Sequence, residues 1–174
     1  MRKTITIDGK EYQVECNALL PRQYRKEFGT DLVAGMRQLK AEYDKDPNNV
    51  STEILENLTW LMLKAAGEDV GSTVEEWLSG IEDSFAIYNV MNDVVDLWLH
   101  SQKTTSAPKK KIKATTREPN GAIFMLRCAE LGLSDEALSG MTIGMVYDLL
   151  TERENDQVEY PVKGDQDDIE RIFG

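Results

Sequence analysis

The first apolar and polar positions of the chain predict a β-hairpin followed by a short helix. In residues 5–14 the runs ITI and EYQV flank Asp8 and Gly9, a dipeptide that tolerates the positive φ angles of a type I′ turn. Farther along, Pro21 suits the first turn of a helix, and Gly29 suits the left-handed residue that closes one. The pattern therefore predicts a small hairpin and, after it, a helix that ends near Gly29.

Helical spacing of apolar residues continues in two longer stretches. After Asp31 the apolar residues recur every three or four positions until Pro47 interrupts the pattern. Over residues 52–66 they again share one helical face, with Ser51 available as the N-terminal cap and Gly67 as the stop. These stretches predict a second and a third helix.

The longest helical pattern of the chain lies just before residue 100. Two overlapping Ser/Thr-x-x-Glu capping boxes in residues 72–76 precede a helix that carries Trp77. From Ile81 to Leu99 the apolar residues keep the helical period, although Gly80 offers a point of interruption near its start. A long helix over residues 81–99 is therefore predicted.

Residues 101–117 differ in character from the chain on either side. They contain six Lys or Arg residues and no Asp or Glu, while Ser, Thr, Ala and Pro make up most of the remainder. The net charge is −8 for residues 1–100, +6 for 101–117 and −9 for 118–174. This composition is typical of a flexible linker whose charge keeps it soluble or docks it on the acidic flanks.

The remaining residues, 118–174, predict three short helices. The first ends at Gly132, Ser134 caps the second, and Thr142 caps the third, with the terminal DQDDIERIFG forming a last helical turn or two. The expected fold class is mainly α. It comprises a helical domain with an N-terminal hairpin (1–100), a flexible basic linker (101–117) and a small three-helix module (118–174).

Composition and charge narrow the classes of partner. A hydrophobic content of 41% among 174 residues supports a folded core. The net charge of −11 argues against nucleic acid as the main ligand, since phosphate contacts need a basic face. The run Lys109 to Lys111 could touch nucleic acid, but it lacks interleaved aromatic residues and fits a linker better. Because no apolar run is long enough for a bilayer or a signal peptide, a cytoplasmic protein with protein partners is expected.

Residues with catalytic or metal-binding chemistry are sparse. His100 is the only histidine, and no paired Cys or His ligands occur. Cys16 and Cys128 are far apart in sequence and predict buried thiols, while the adjacent Asp167 and Asp168 fit helix capping better than acid and base catalysis. The sequence therefore predicts a protein that is not an enzyme and has no cofactor or metal.

On several predicted helices the apolar residues cover a wider face than the single narrow stripe that packing on one core requires. The surplus predicts either deep burial, which is the default, or contact with a partner helix. Trp98 is the preferred anchor among the candidate partner-binding residues, which are Trp60, Trp77, Phe85, Tyr88, Met91, Val95, Trp98, Leu99, Leu131 and Tyr147.

The order of these elements resembles that of bacteriophage tail assembly chaperones. The resemblance lies in the ITIDGKEYQV hairpin, the helical middle ending in NDVVDLWLHS, the Pro and Lys linker, and CAELGLSDEALSGMTIGMVYDLL. In that family a programmed ribosomal frameshift adds a second domain to a short helical product. The chain resembles the long form, and the adenine-rich codons possible at residues 109–111 are of the kind on which ribosomes slip.

The resemblance implies a chaperone that binds the tape measure protein and recruits the major tail (tube) protein during tail assembly. It also implies self-association, a location in the host bacterial cytoplasm, and absence from the finished particle. One alternative is a small structural or connector component of the tail itself. Another is a regulator that binds nucleic acid through the lysine-rich linker.

Overall fold

The computed structural model describes residues 1–46, 51–83, 85–109 and 117–156. Within these ranges 60% of the residues lie in eight α-helices, and the N-terminus forms a two-stranded antiparallel hairpin. The predicted fold class, mainly α with an N-terminal hairpin, is confirmed.

The hairpin follows the sequence pattern closely. Strands β1 (Arg2–Ile7) and β2 (Lys10–Glu15) pair so that Ile7 lies opposite Lys10. Asp8 and Gly9 connect them with φ angles of 52° and 73°, which is the left-handed pair that a type I′ turn needs. Alternate side chains point to one face, and the apolar ones on that face are buried: Ile5, Ile7 and Val14.

Three helices follow in the predicted order. Gly29 closes the first with a φ angle of 70°, and the Asp31 carboxylate accepts a hydrogen bond from the Ala34 amide at the start of the second. The prediction that Ser51 caps the third is wrong, because Thr52 occupies the cap position and makes no side-chain cap bond. The helices are α1 (Leu20–Phe28), α2 (Leu32–Lys45) and α3 (Glu53–Ala66).

The predicted helix over residues 81–99 begins later than expected. Helix α4 (Val74–Ser79) is capped by Thr73, as the capping boxes predicted, and helix α5 spans Ala86–Ser101. Between them, the Glu82 amide donates to the Asp8 carboxylate at 2.9 Å and the Phe85 amide donates to the Asp83 carboxylate at 2.9 Å. These bonds satisfy backbone amides outside a helix, and the first ties the connection to the hairpin turn.

The C-terminal part contains the three short helices that were predicted. They are α6 (Gly121–Glu130), α7 (Asp135–Ser139) and α8 (Ile143–Asn155). Ser134 and Thr142 cap α7 and α8 as expected, and Asn120 caps α6. The predicted last helical turn at residues 165–174 lies outside the described residues.

Part of the predicted linker is bound to helix α8. Residue 101, where the linker was expected to start, is the buried last residue of α5, and residues 110–116 lie outside the described ranges. Residues 103–109, here called the strap, run along α8. Asp148 accepts from the Thr105 and Ser106 amides at 2.8 and 2.9 Å, and the Asn155 side chain bonds the Ala107 carbonyl and the Lys109 amide.

The described parts of the two predicted modules contact each other. The Gly121 amide donates to the Asp31 carboxylate at 2.9 Å, and the Ala18 amide donates to the Met141 carbonyl at 2.8 Å. Apolar side chains from both parts, including Phe124 of α6, belong to one buried cluster. The division into domains at 1–100 and 118–174 stays a prediction, but the halves share a core in the described residues.

Candidate partner-binding groove

An apolar groove lies between helices α2 and α5. Its volume is about 610 Å³, and the segment that enters α6 contributes Pro119 to it. Its apolar lining residues are Val33, Met36, Leu39, Tyr43, Val95, Trp98, Leu99 and Pro119. An open apolar groove of this kind can accept the apolar face of another helix.

Helix α5 supplies one wall because it carries apolar residues on two faces. One face packs on the hairpin and α3, with Val90, Val94 and Leu97 buried. The other face remains open to solvent. Leu99 is 55% exposed there, and Tyr88, about three turns nearer the helix start, is 47% exposed.

Helix α2 supplies the opposite wall, and the charged side chains that it places on the groove, Arg37, Lys40 and Asp44, all form ion pairs. Tyr43 is 58% exposed on this helix. Arg37 donates to the Glu118 carboxylate at 2.7 Å and to the Pro119 carbonyl at 3.0 Å. Lys40 pairs with Asp44 at 2.8 Å. The rim charges are therefore locally balanced, and the apolar floor dominates the character of the groove.

One end of the groove depends on the C-terminal part of the chain. Arg37 holds residues 118 and 119 against α2, and Asp31 holds the next helix start through the Gly121 amide. A Cβ atom at Gly121 would lie 3.0 Å from an Asp31 carboxylate oxygen, so glycine permits this close approach. Residues about 80 to 90 positions apart in sequence thus build a single surface.

The ten candidate partner-binding residues fall into three groups. Trp60, Trp77 and Trp98 are buried, with Trp60 fully enclosed and its indole donating to the Val70 carbonyl. Phe85, Tyr88 and Leu99 are exposed, whereas the partly buried candidates are Met91, Val95, Leu131 and Tyr147. Only three of the ten, Val95, Trp98 and Leu99, line the groove.

The two candidates in the C-terminal part, Leu131 and Tyr147, are partly buried. The Tyr147 ring packs on the Phe124 ring at a centroid distance of 5.8 Å, and burial raises the pKa of its phenol. Among the described residues of this part, the exposed large apolar side chains are instead Leu126 on α6 and Met145 and Leu149 on α8. Sequence spacing alone placed all of these on helices and did not distinguish the covered face from the open one.

Leu39 and Tyr43 of the groove were not among the sequence candidates. Both fall at helical spacing after Asp31, which was the signal available for them. Their contribution depends on α2 lying beside α5, and the sequence pattern does not specify which helices are neighbours.

Reactive side chains in the described residues have unreactive surroundings. Burial raises the pKa of the Cys16 thiol to about 11, so the nucleophilic thiolate is not populated near neutral pH. Burial also raises the pKa of the Cys128 thiol. The His100 Nδ1 atom lies 2.7 Å from the Asp96 carbonyl of its own helix. Among the described residues, no three His, Cys, Asp or Glu side chains are grouped so that they could hold a metal ion.

None of the described helices is both long and apolar enough to cross a membrane. Comparison with known protein families, with curated proteins and with solved structures finds no match to this chain.

Proposed function

We propose that this protein is a bacteriophage tail assembly chaperone that binds the tape measure protein and recruits the major tail protein during assembly. The observation that carries the proposal is the apolar groove between α2 and α5. Its two helical walls lie in the part of the chain whose element order resembles the binding domain of that family.

The groove suits the chemistry that such a partner presents. A long helical tape measure protein exposes apolar stripes before the tube surrounds it, and exposed apolar stripes cause aggregation. A strongly acidic protein with an open apolar groove covers such a stripe while its charge keeps the complex soluble. Binding of this kind needs no cofactor and no chemical step, and it takes place in the host bacterial cytoplasm.

The C-terminal part supplies a second apolar surface for the tube protein. Met145 and Leu149 are one helical turn apart on α8 and both are exposed, as is Leu126 on α6. They are separate in sequence from the groove residues of α2 and α5. In the proposed division of labour, the groove holds the tape measure protein and these residues contact the tube protein.

A pull-down with the tape measure protein tests the groove. Leu99→Ser removes an exposed groove residue and is expected to weaken binding at least about tenfold, because apolar anchors carry much of the energy of helix contacts. Leu149→Ser, which removes an exposed leucine from α8, is the matched control and should bind normally. If the wild type and Leu99→Ser bind equally, and circular dichroism shows that both are folded, then the groove is not the binding site for the tape measure protein.

Trp98 is a poorer probe than Leu99 because it is only 4% exposed. Trp98→Ala is expected to lower the free energy of unfolding by about 3–5 kcal/mol, so a loss of binding could not be separated from a loss of folded protein.

Mass spectrometry of purified particles tests the role in assembly. A chaperone is absent from the mature particle, whereas stoichiometric presence would indicate a structural or connector component of the tail.

A further inference from the structure

The segment that enters α6 already occupies one end of the groove. Pro119 lines the groove, and the Arg37 guanidinium donates to the Pro119 carbonyl at 3.0 Å and to the Glu118 carboxylate at 2.7 Å. Two residues later, the Gly121 amide binds Asp31 at the start of α2. Residues 118 and 119, here called the latch, therefore lie over the first turns of α2, between Asp31 and Arg37.

The latch is held weakly. Within the described residues, both hydrogen bonds that hold it come from Arg37, whose side chain is 45% exposed, while that of Glu118 is 77% exposed. Losing an ion pair this exposed changes an equilibrium by no more than about fivefold. Proline also has no backbone amide with which to donate a bond of its own. Little free energy therefore keeps the latch in place.

Helix α6, in contrast, is fixed to the rest of the protein. The Gly121 amide lies 2.9 Å from both oxygens of the Asp31 carboxylate, and Phe124 is buried in the shared core. Asn120 joins the latch to α6 in an extended conformation, and its side chain caps the helix through the Ile123 amide. The latch can therefore move about Asn120 while α6 stays in place.

The latch shortens the part of the groove that a helix can enter. Along α2 the groove extends from Val33 to Asp44, which is about 17 Å at 1.5 Å per residue. With the latch in place, the open part begins near Arg37 and is about 11 Å long. Three helical anchors at positions i, i+3 or i+4 and i+7 span about 11 Å, so opening the latch makes room for a fourth.

The latch also shows which chemistry the groove accepts. It places a proline in the groove and a carboxylate on Arg37, one residue apart in sequence. Lys40, about one turn farther along α2, also lines the groove and pairs with the exposed carboxylate of Asp44. The lining thus includes two cations and one acid, in a chain whose net charge is −11. A helix with carboxylates beside its apolar stripe is complementary to this arrangement.

We propose that the latch is an autoinhibitory contact, and that an apolar helix opens it by supplying a carboxylate of its own to Arg37 in place of Glu118. Closed, the latch lowers the affinity of the groove for apolar helices that carry no acid. The partner is thereby given one property, an Asp or Glu beside its apolar stripe. The inference rests on the proposed function only in taking the groove as a site for a partner helix.

Thiol labelling measures the opening of the latch without any partner. Val33→Cys places a thiol at the latch end of the groove, and the native Cys16 and Cys128 are buried, so a chromogenic thiol reagent reports on position 33. Adding Glu118→Gln should speed this labelling about two- to fivefold, which is the effect of losing an exposed ion pair. High salt should speed the labelling of the parent in the same way, because it screens the pair, and should have no such effect in Glu118→Gln.

Two further variants show whether the ion pair itself closes the latch. Glu130→Gln breaks ion pairs with Arg127 and Arg153 outside the groove, so it should leave the labelling rate unchanged. Reversing both charges, with Arg37→Glu and Glu118→Arg in one chain, restores an attractive pair. That double variant should label more slowly than either single variant.

Two synthetic helical peptides test the chemistry of the partner. Both carry the same leucine stripe, which is flanked by Glu in one peptide and by Gln in the other. At about 0.15 M salt, which screens the charge of the rest of the chain, the Glu peptide is expected to bind the full chain about two- to fivefold more tightly. Arg37→Gln should abolish this preference. Arg25→Gln, which removes the same charge from an exposed position on α1, should retain it.

Two results would overturn the inference. One is an unchanged labelling rate in Glu118→Gln, and the other is equal binding of the two peptides to the full chain. Both tests are made without the tape measure protein, so neither result bears on whether that protein is the partner. A failed tape measure pull-down would reject that partner and leave the labelling and peptide results, and with them the latch, standing.

Discussion

At the scale of single residues, Asp148 fixes the strap to helix α8. Its carboxylate accepts hydrogen bonds from two strap amides and from the Thr105 hydroxyl. The Ser106 amide, together with Thr105, holds the pKa of this carboxyl below its usual range, because the bonds favour the charged form. Together with Asn155, this side chain holds a segment of linker composition against α8.

We predict that Asp148→Asn loosens the strap. An amide accepts weaker hydrogen bonds than a carboxylate, so the Thr105 and Ser106 amides should lose protection in hydrogen exchange. Asp69→Asn, which removes the same charge from the exposed loop after α3, should leave them protected. Unchanged protection in Asp148→Asn would mean that other contacts hold the strap.

The same bond predicts a dependence on acid pH. Since the pKa of Asp148 is lowered in the folded chain, its contribution is fully present above the ordinary carboxyl pKa, about 3.9, and is lost as the pH falls through the folded value. Protection of the strap amides, corrected for intrinsic exchange, should therefore stay constant near neutrality and fall in strong acid. In Asp148→Asn this acid-dependent step should be absent.

Gly144 supports the same contact from the helix side. A Cβ atom there would overlap with the Lys103 carbonyl oxygen, so the strap backbone must shift in Gly144→Ala. The expected loss is about 1–3 kcal/mol of unfolding free energy, in spite of the better helix propensity of alanine. Gly140→Ala is the control, because its Cβ would meet the Ala137 carbonyl at an ordinary 3.6 Å. Thermal melting of both variants measures the difference, and equal melting temperatures would contradict the prediction.

At the scale of secondary-structure elements, Asp31 joins the starts of two helices. One carboxylate oxygen caps α2 through the Ala34 amide at 3.0 Å, and both oxygens lie 2.9 Å from the Gly121 amide at the start of α6. The negative charge is favourable at both N-termini because it opposes the positive ends of two helix dipoles. The packing of α6 beside α2, and with it one end of the groove, therefore depends on a loop residue.

Asp31→Ala is expected to destabilise the protein by about 2–4 kcal/mol, since it removes a helix cap and a charged hydrogen bond between elements. Asn120→Ala removes a cap from α6 alone and should cost about 1 kcal/mol. Urea denaturation compares the two variants. Equal losses would show that the bond between Asp31 and Gly121 contributes little.

At the scale of the whole molecule, the two predicted halves share buried surface. Apolar residues of the hairpin, the central helices and the C-terminal helices form one cluster in the described residues. The Arg22 and Asp135 side chains form an ion pair across the same contact, although both are more than half exposed and the pair adds little stability.

A shared core predicts one cooperative unfolding transition. Calorimetry should give a calorimetric enthalpy equal to the van't Hoff enthalpy, as for a single two-state domain. Two separable transitions would favour independent modules at 1–100 and 118–174.

A chain truncated after residue 101 should melt at a lower temperature than the full chain, because it uncovers the α1 and α2 surfaces that α6 contacts.

The sequence by itself determined the local features of this protein. The turn at Asp8 and Gly9, the closing Gly29 and the cap residue Thr73 act on groups within a few positions, so their residue types were sufficient, whereas the predicted cap Ser51 was displaced by Thr52. Helical periodicity likewise located the helices of the described ranges, except that the helix predicted from Ile81 begins at Ala86, because the period of an apolar face depends only on the helix itself.

Only the tertiary structure decided which apolar faces are open. Trp98 and Leu99 are neighbours in sequence and both line the groove, yet Trp98 is buried and Leu99 is exposed, because α5 packs on the hairpin and α3 along one side. The strap binds α8 and Arg37 binds residue 118 through contacts between distant positions, which no local pattern encodes. The groove exists for the same reason: its walls meet only when the whole chain has folded.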